Sequence, residues 1–453
     1  MAGWLLKNLE AVFEKNGSEQ AGVDLLIEGK RVAKVGKDLP QPEGARVLDC
    51  RGKVALPGLV NTHHHFFQTL TRCLPAAQNS KLFDWLRYHY GVWRFVNAEA
   101  MRAAARLAIG ELLLTGCTTT SDHCYLFPQG MADDPLGIDV DAAQELGIRF
   151  CGTRGSMTMG KSQGGLPPEE LIEEDDHVLR HSEEVIRRWH NPAECSMCQI
   201  HLAPCTPFNV TERLLRETAL LARQHKVRLH THLAETLDET DFCLRKFGKR
   251  PLALMEDLGW VGEDVWFAHG VHFNDSELDT LSKTGCGIAH CPSSNMRLGS
   301  GVARVPDMLA RGMTVGLAVD GSASNDSSDM LGELRQAMLL GRVMYGASAL
   351  SAHQVISLAT EHSARLLGRT DFGTLQSGKA ADIALFDLEQ LSYAGAGDPI
   401  AALLFCGGSH RAWAVMVNGE FVVKDGQLVR GDEEQIRRDA VMQAKALRQR
   451  AGL

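Results

Sequence analysis

Short apolar runs alternate with helix-forming segments through the middle of the 453-residue chain, and this alternation limits the folds it can adopt. Eight runs are candidate strands, at 54–60, 118–122, 148–152, 197–202, 227–231, 265–268, 287–289 and 315–319. Helical patterns separate most of them, at 97–116, 168–190, 211–225 and 276–285. Strands alternating with helices are typical of parallel βαβ units, so eight strands predict an α/β protein with a (β/α)₈ TIM barrel. The alternative is an open doubly wound sheet, but the G-x-G-x-x-G turn that would favour it is absent.

The two ends of the chain differ from this middle part. Segments 23–36, 381–388 and 414–426 carry the alternating apolar residues of strands, with Gly-containing turns in the first and third. Because the termini of a domain often lie close together, we expect both ends to share a small β-sandwich domain. The segment 432–450 has the composition of a C-terminal helix. The predicted organisation is therefore a small β domain (1–56 and 369–453, the latter including this helix) and a barrel (57–368).

Composition excludes several classes of protein. The net charge of −9 and a pI near 6.1 lack the basic surface of a nucleic-acid binder. No apolar stretch approaches the ~18 residues of a membrane helix, and Lys7 and Glu10 interrupt any signal-like N-terminal core. We therefore expect a cytoplasmic protein whose twelve cysteines, including the C-x-x-C pair Cys195 and Cys198, are reduced and mostly packed as small apolar groups. The expected partners are a small nucleobase-like molecule and other copies of the chain in a homo-oligomer, with no nucleic acid and no membrane.

Polar side chains follow four of the predicted strands where each strand ends. His63-His64-His65 follow the run 54–60, and His232 and Glu235 follow 227–231. The run 265–268 leads into His269 and the run 315–319 into Asp320. In a barrel the carboxyl ends of the strands meet at one mouth, where catalytic groups lie. This convergence indicates an enzyme.

The H-x-H pair formed by His63 and His65 suggests a metal site. Side chains alternate along an extended chain, so these two histidines face one way and His64 faces another. His232 and Asp320 would complete a set of three nitrogens and one carboxylate oxygen, which suits one divalent ion, Zn²⁺ or alternatively Fe²⁺. Each of these residues taken alone is equally compatible with capping a strand or filling a polar pocket.

Five longer segments resemble the amidohydrolase superfamily, in particular its aminohydrolase branch of deaminases and chlorohydrolases. They are ALPGLVNTHHH, LHTHLAET, FAHGVHF, IAHCPSSNMRLGSG and GLAVDGSASND, and the resemblance extends over essentially the whole chain. It implies that His63, His65, His232 and Asp320 are metal ligands, and that Glu235, His269 and Asp320 are catalytic. Two-metal members use a lysine at the end of the fourth strand, but SMCQIHLAP has none, which favours a single ion. We expect His201, in this strand, to pack or hydrogen-bond locally.

The resemblance also implies a reaction in which a metal-activated water displaces ammonia from an amino-bearing ring carbon. Asp320 would take the proton of the water and pass it to the amine. His269 would hold or polarise the nucleophile, and Glu235 would protonate a ring nitrogen. The unrelated zinc deaminases with an H-x-E and P-C-x-x-C signature are excluded, because Glu194 and not proline precedes the Cys195 and Cys198 pair, so the P-C-x-x-C motif is missing.

Four further residues are candidates for substrate binding. Gln68 has an amide that matches a lactam edge, Trp85 and Tyr125 have rings that stack or simply pack, and Arg154 binds a carbonyl or anion or forms a structural ion pair. The segments LTRCLPAAQNSKLFDWL, TTTSDHCYLFP and TRGSMTMGKSQGGLPP are similar to the 8-oxoguanine deaminases, which implies conversion of 8-oxoguanine to urate and ammonia. The alternatives are an aminohydrolase for isocytosine, guanine, a pterin or a hydroxylated s-triazine, a cyclic amide hydrolase, and a non-catalytic scaffold.

Overall fold

A computed structural model describes residues 3–14, 19–408 and 410–453. Its central feature is a sheet of eight parallel strands in which each strand pairs with the next one along the chain. A hydrogen bond from the Thr62 amide to the Leu317 carbonyl (3.1 Å) joins the first strand to the eighth, so the (β/α)₈ prediction is confirmed. Numbered from first to eighth, the barrel strands are Leu59–Asn61, Cys117–Thr120, Arg149–Ser156, Cys198–Pro204, Leu229–Leu233, Val265–His269, Gly287–His290 and Val315–Leu317.

Two short pairings extend the barrel at its carboxyl mouth. His64–His65 pairs in parallel with Asp320–Gly321, and His123–Cys124 pairs with the third strand. These pairings prolong the first, second and eighth strands toward the mouth. They bring His65 and Asp320, 255 positions apart in the sequence, onto neighbouring segments.

Helices surround the barrel, and the predicted helical segments are present. The predicted helix at 97–116 is observed as Ala98–Leu114, and the Asn97 side chain caps it by accepting from the Ala100 amide. The predicted helix at 276–285 is observed as Asp275–Thr284, which begins with a reciprocal capping box between Asn274 and Glu277. The other α-helices are Leu82–Trp93, Pro135–Leu146, Asp175–Trp189, Glu212–His225, Leu237–Phe247, Pro251–Asp257, Pro292–Arg297, Val305–Ala310, Met330–Tyr345, Ala352–Ser357, Ser363–Leu366, Pro399–Phe405 and Glu433–Arg450. Within the described ranges, no helix has the length and apolar character needed to cross a membrane.

Strands from both ends of the chain form a second sheet, which we call the terminal sheet. The strands from the N-terminal part of the chain join those from the C-terminal part where Lys53–Pro57 pairs antiparallel with Ile383–Asp387. The side chains that it buries are mainly leucine, valine and isoleucine. Its strands are Trp4–Phe13, Glu19–Glu28, Arg31–Gly36, Arg46–Asp49, Lys53–Pro57, Ile383–Asp387, Ala414–Val417, Glu420–Lys424 and Gln427–Leu428.

The prediction that the run 54–60 forms one barrel strand is wrong, because the run is divided at Gly58. Its first part belongs to the terminal sheet, and only Leu59–Asn61 enters the barrel. At the division the Gly58 amide donates to the Asp382 carbonyl (2.9 Å). A Cβ atom on Gly58 would lie 2.1 Å from the Thr118 hydroxyl oxygen, so only glycine fits where the chain passes between the sheets. Continuous apolar character cannot reveal such a division, because both sheets bury this segment.

A buried ion pair connects the barrel to the terminal sheet. Arg149, at the start of the third barrel strand, places its Nη2 atom 2.9 Å from Asp382 Oδ2 and 2.8 Å from Asn418 Oδ1. The side chains of Arg149 and Asp382 are 0% and 1% exposed. Charges this deeply buried depend on each other, because neither can be hydrated.

Asp382→Ala is therefore expected to lower the free energy of unfolding by about 3–5 kcal/mol, since it leaves the Arg149 guanidinium buried without its counter-charge. Urea unfolding followed by circular dichroism measures the change. The matched control is Asp84→Ala, which removes an exposed pair with Arg87 and should cost less than about 1 kcal/mol. Equal effects of the two substitutions would contradict this role of the pair.

Candidate active site

The six predicted metal-ligand and catalytic residues lie together at the carboxyl mouth of the barrel. The backbone bends sharply where three of the loops leave their strands, with φ values of 54° at Ala234, 74° at His269 and 62° at Asp320. Non-glycine residues rarely adopt such conformations, and those that do are concentrated at functional sites. The three bends lie at or next to predicted site residues, namely at His269 and Asp320 and at Ala234 beside Glu235.

The donor atoms of His63, His65, His232 and Asp320 converge on one point. The Nε2 atoms of His65 and His232 are 3.1 Å apart. Asp320 Oδ1 lies 3.3 Å from His63 Nε2 and 3.2 Å from His65 Nε2. All four residues are buried, so these atoms are kept from bulk water.

Hydrogen bonds at the opposite ring nitrogens determine which nitrogen carries the proton in each imidazole. His65 Nδ1 faces the His123 carbonyl (3.0 Å) and His232 Nδ1 faces the Cys205 carbonyl (2.7 Å). Because a carbonyl only accepts, each Nδ1 must carry the proton, and each Nε2 is then a free lone pair.

His63 reaches the same state through a second imidazole, that of His230. His230 Nδ1 faces the Trp266 carbonyl (2.9 Å), so His230 Nε2 is bare and accepts from His63 Nδ1 at 2.7 Å. His63 Nε2 is consequently a lone pair, and it has no hydrogen-bond partner among the described residues. Burial lowers the pKa of His63, His230 and His232, which keeps these rings neutral.

This donor set fits a divalent cation. Three bare imidazole nitrogens facing one another and a carboxylate are unfavourable unless a positive charge lies between them. Ligand atoms about 2.0–2.2 Å from a tetrahedrally coordinated zinc ion lie roughly 3.3–3.5 Å from each other, close to the separations found here. The other carboxylate oxygen, Asp320 Oδ2, accepts from Ser294 Oγ (2.6 Å) and Ser324 Oγ (3.1 Å), which holds Asp320 in place.

Glu235 and His269 form an adjoining pair. His269 Nε2 lies 3.5 Å from Glu235 Oε2, and His269 Nδ1 lies 2.9 Å from Asn295 Oδ1. Ser300 Oγ is 3.4 Å from the other Glu235 oxygen. Burial raises the pKa of Glu235, and the neighbouring His269 offsets this only in part. A carboxyl group with a raised pKa, beside a cavity, is suited to exchange a proton with a ligand.

Three residues that hold active-site residues in place were not predicted from the sequence: His230, Asn295 and Glu239. The Glu239 carboxylate accepts from the backbone amides of Ala234 (3.0 Å) and Glu235 (2.9 Å), and this stabilises the bend that presents Glu235. A glutamate three residues after Thr236, at the start of a helix, is a local signal for such a role. Nothing local indicates the contacts of His230 and Asn295, because their partners are distant in the sequence.

A cavity that encloses about 390 Å³, part of it open to solvent, lies over the converging donors, with His65, His232 and Asp320 in its lining. Gln68, Trp85 and Tyr125 line it, as predicted substrate-binding residues should. Gln68 Oε1 lies 3.4 Å from the Ala323 amide, and Trp85 Nε1 donates to the Ala323 carbonyl (3.2 Å). The remaining lining residues are His65, Leu82, Leu86, Tyr90, Cys205, Thr206, Phe208, His232, Glu235, His269, Leu298, Asp320 and Ser324.

Arg154 lies away from this cavity and is not among the described residues that line it. Its Nη2 atom is 2.6 Å from Glu173 Oε1, its Nε atom is 2.9 Å from His181 Nδ1, and its guanidinium lies 3.8 Å from the centre of the Phe127 ring. These contacts correct the substrate-binding prediction for Arg154 in favour of the structural ion pair. The third strand also continues to Ser156, beyond its predicted end at 152, and His181, which contacts Arg154, lies on the helix Asp175–Trp189 outside the sheet.

His201 also has local partners. Its Nδ1 atom accepts from the Arg228 amide (3.2 Å), and its ring packs edge-on against Trp266. Neither contact involves the converging donor atoms.

A (β/α)₈ barrel with three imidazoles and a carboxylate converging at its carboxyl mouth defines a metal-dependent hydrolase. The chain belongs to the amidohydrolase family, whose model matches residues 54–422.

The chain is 47% identical to an 8-oxoguanine deaminase of Pseudomonas aeruginosa over 424 residues, which cover 93% of this chain and 94% of that protein. It is 35% identical to a hydroxydechloroatrazine ethylaminohydrolase of a Pseudomonas species, with coverage of 94% and 91%. The crystal structure of an atrazine chlorohydrolase from Arthrobacter aurescens complexed with zinc superposes with a TM-score of 0.94 at 35% identity, over 97% of this chain and 100% of that one. The chain is therefore a metal-dependent aminohydrolase.

Proposed function

We propose that this enzyme hydrolyses 8-oxoguanine to urate and ammonia and that its resident metal is a single Zn²⁺, with Fe²⁺ as the alternative. The observation that carries the proposal is the convergence of three imidazole lone pairs and one carboxylate beneath a cavity that also presents the Glu235–His269 pair. The 47% identity to an 8-oxoguanine deaminase supports this substrate over others of the same class.

His63, His65, His232 and Asp320 would hold the ion. When bound, a divalent cation lowers the pKa of a water molecule to about 7 and so supplies a nucleophile at neutral pH. The bonds from the Nδ1 atoms of the three histidines to His230, His123 and Cys205 keep their Nε2 atoms aimed at one point. The three metal-binding histidines are thus oriented before the ion binds.

The remaining steps belong to side chains of this chain. Asp320 takes a proton from the attacking water and delivers it to the departing amine, and His269 orients the water. Glu235 donates a proton to the ring nitrogen beside the amino-bearing carbon, which makes that carbon more electrophilic. The C–N bond then breaks and ammonia leaves, while the hydroxyl on the same carbon gives its proton to the Glu235 carboxylate, which forms the C=O bond and restores the Glu235 carboxyl group. Each proton transfer by a positioned group contributes about 10²–10⁴-fold to the rate.

The cavity walls suit a flat heterocycle. Trp85 and Tyr125 provide ring surfaces, and Leu82, Leu86 and Leu298 provide apolar contacts. Burial raises the pKa of Tyr125, so its hydroxyl remains neutral. Gln68 Oε1 is engaged by the Ala323 amide, and the Gln68 side chain also hydrogen-bonds the Tyr125 hydroxyl. The NH₂ group carries two hydrogens, so one remains to donate to a lactam oxygen of the substrate.

A hydroxylated s-triazine is the second candidate substrate, because a relative and a solved structure named for triazine chemistry each share 35% identity with the chain. Isocytosine is a third, since it carries the same amino-bearing carbon beside a lactam. Ammonia release by the zinc-loaded protein from 8-oxoguanine, isocytosine, guanine and a hydroxylated s-triazine that carries a free amino group distinguishes these substrates. We expect the highest kcat/KM for 8-oxoguanine, and a higher value for any of the other three would overturn the proposal.

Gln68→Ala is expected to raise KM for 8-oxoguanine about 10-fold with a smaller change in kcat, because it removes one hydrogen bond to the bound lactam. Steady-state kinetics measure this separation. The control is Gln129→Ala, which changes a glutamine outside the described cavity lining that bonds to the Glu169 carbonyl. An unchanged KM in the Gln68 variant would remove Gln68 from the substrate site.

A further inference from the structure

Thr206 lies in the wall of the active-site cavity and carries a buried hydroxyl without a hydrogen-bond partner among the described residues. Thr206 is 5% exposed, and its Oγ1 atom has no hydrogen-bond partner among the described residues. It nevertheless lines the cavity beside Cys205 and Phe208. Buried hydroxyls are usually paired, and because Thr206 lines the cavity, a molecule bound there is available as the partner of its hydroxyl.

The protein around Thr206 holds its backbone but leaves the hydroxyl free. The Thr206 carbonyl accepts from the Asn209 amide (3.1 Å) in a tight turn. The neighbouring Cys205 carbonyl already accepts from Thr231 Oγ1 (3.0 Å) and His232 Nδ1 (2.7 Å). The turn that carries Thr206 is therefore connected through the Cys205 carbonyl to His232, a residue of the converging donor set.

Barrel order places Thr206 on the same side of the cavity as Glu235. Thr206 follows the fourth strand and Glu235 follows the fifth, and these two strands pair directly. Gln68 follows the first strand and contacts Ala323, which lies beyond the eighth. Because strands four and five face strands eight and one across a closed barrel, Thr206 and Gln68 approach a ligand from opposite sides.

This arrangement matches the two edges of an oxidised purine. In 8-oxoguanine the ring nitrogen that Glu235 would protonate shares an edge with the N9–H group of the five-membered ring, and the lactam lies on the opposite edge. We propose that Thr206 Oγ1 accepts a hydrogen bond from N9–H, and that Thr206 therefore makes the site select bicyclic 8-oxopurines over single-ring analogues. This inference rests on the proposed deaminase function and specifies how that site recognises the second ring.

The experiment compares Thr206→Val with Thr206→Ser in the zinc-loaded protein, using 8-oxoguanine and isocytosine as substrates. Valine keeps the shape of threonine without the hydroxyl, and serine keeps the hydroxyl. We expect Thr206→Val to lower kcat/KM for 8-oxoguanine about 10-fold and to change the value for isocytosine by less than about 2-fold, because isocytosine has no second ring to lose a bond. Thr206→Ser should restore most of the loss.

The matched control is Thr240→Val, which removes another buried, unpartnered hydroxyl from a residue outside the described cavity lining. Equal losses for both substrates, or no loss for 8-oxoguanine, would overturn the proposal. If the wild-type protein releases ammonia from another substrate but not from 8-oxoguanine, the proposed substrate is wrong. Binding of 8-oxoguanine measured by calorimetry then decides the role of Thr206: weaker binding by the valine variant supports it, and absent or unchanged binding overturns it.

Discussion

Glu235→Gln should lower kcat by about 10³-fold while the metal content stays at the wild-type value, since one proton-transferring group contributes about 10²–10⁴-fold. Glutamine keeps the size of the side chain and can still accept from Ser300, but it has no carboxyl proton to give to a ring nitrogen. Burial raises the pKa of Glu235, so the wild-type carboxyl retains a proton to a higher pH than an exposed glutamate. Steady-state kinetics and metal analysis of the same sample measure the two quantities.

The control for this prediction is Glu333→Gln. Glu333 is also buried, and burial raises its pKa to about 7, but it accepts from the Ser293 amide (2.9 Å) and Asn325 Nδ2 (3.0 Å) outside the described cavity lining. Glu333→Gln should therefore lower kcat far less than Glu235→Gln does. Comparable kcat values for Glu235→Gln and the wild type would refute the acid role of Glu235.

Removal of the metal by a chelator should reduce turnover by more than about 10³-fold, because the several kcal/mol of charge stabilisation supplied by the ion are lost together with the activated water. One equivalent of Zn²⁺ per chain should restore activity. The Nε2 atoms of His63, His65 and His232 converge with one carboxylate oxygen on a single point, and the fourth-strand histidine, His201, is bound to the Arg228 amide.

Titration of the metal-free protein with zinc, followed by both activity and bound metal, tests this stoichiometry. His65→Ala is the companion variant, and it should bind zinc more weakly because it removes one of the converging nitrogens. His290→Ala is the control, because His290 is a buried histidine at the end of the seventh strand and is not one of the four converging donors. Full activity of metal-free protein, or a requirement for two ions, would contradict the single-ion site.

Some parts of the active site could be predicted from the amino-acid sequence, and others could not. His63, His65, His232, His269 and Asp320 each lie within five residues after the end of an apolar run, and parallel strands bring such positions to one mouth. The contacts that orient them were not predictable, because His63 and His230 are 167 positions apart and local patterns carry no information on which distant groups meet. Arg154 shows the same limit: an arginine near a strand end has the same local pattern whether it faces a ligand or, as here, Glu173.

The amino-acid sequence by itself determined the strand and helix order, the barrel, the contribution of both chain ends to a second sheet, and the identity of the polar groups at the strand ends. These properties follow from apolar periodicity and from short spacings, which act between neighbouring residues. Only the tertiary structure decided that the 54–60 segment divides at Gly58, which ring nitrogen of each histidine carries its proton, and that the Thr206 hydroxyl has no partner within the described protein. Such features depend on side chains brought together by closure of the barrel, and their energies arise from contacts that exist only in the folded molecule.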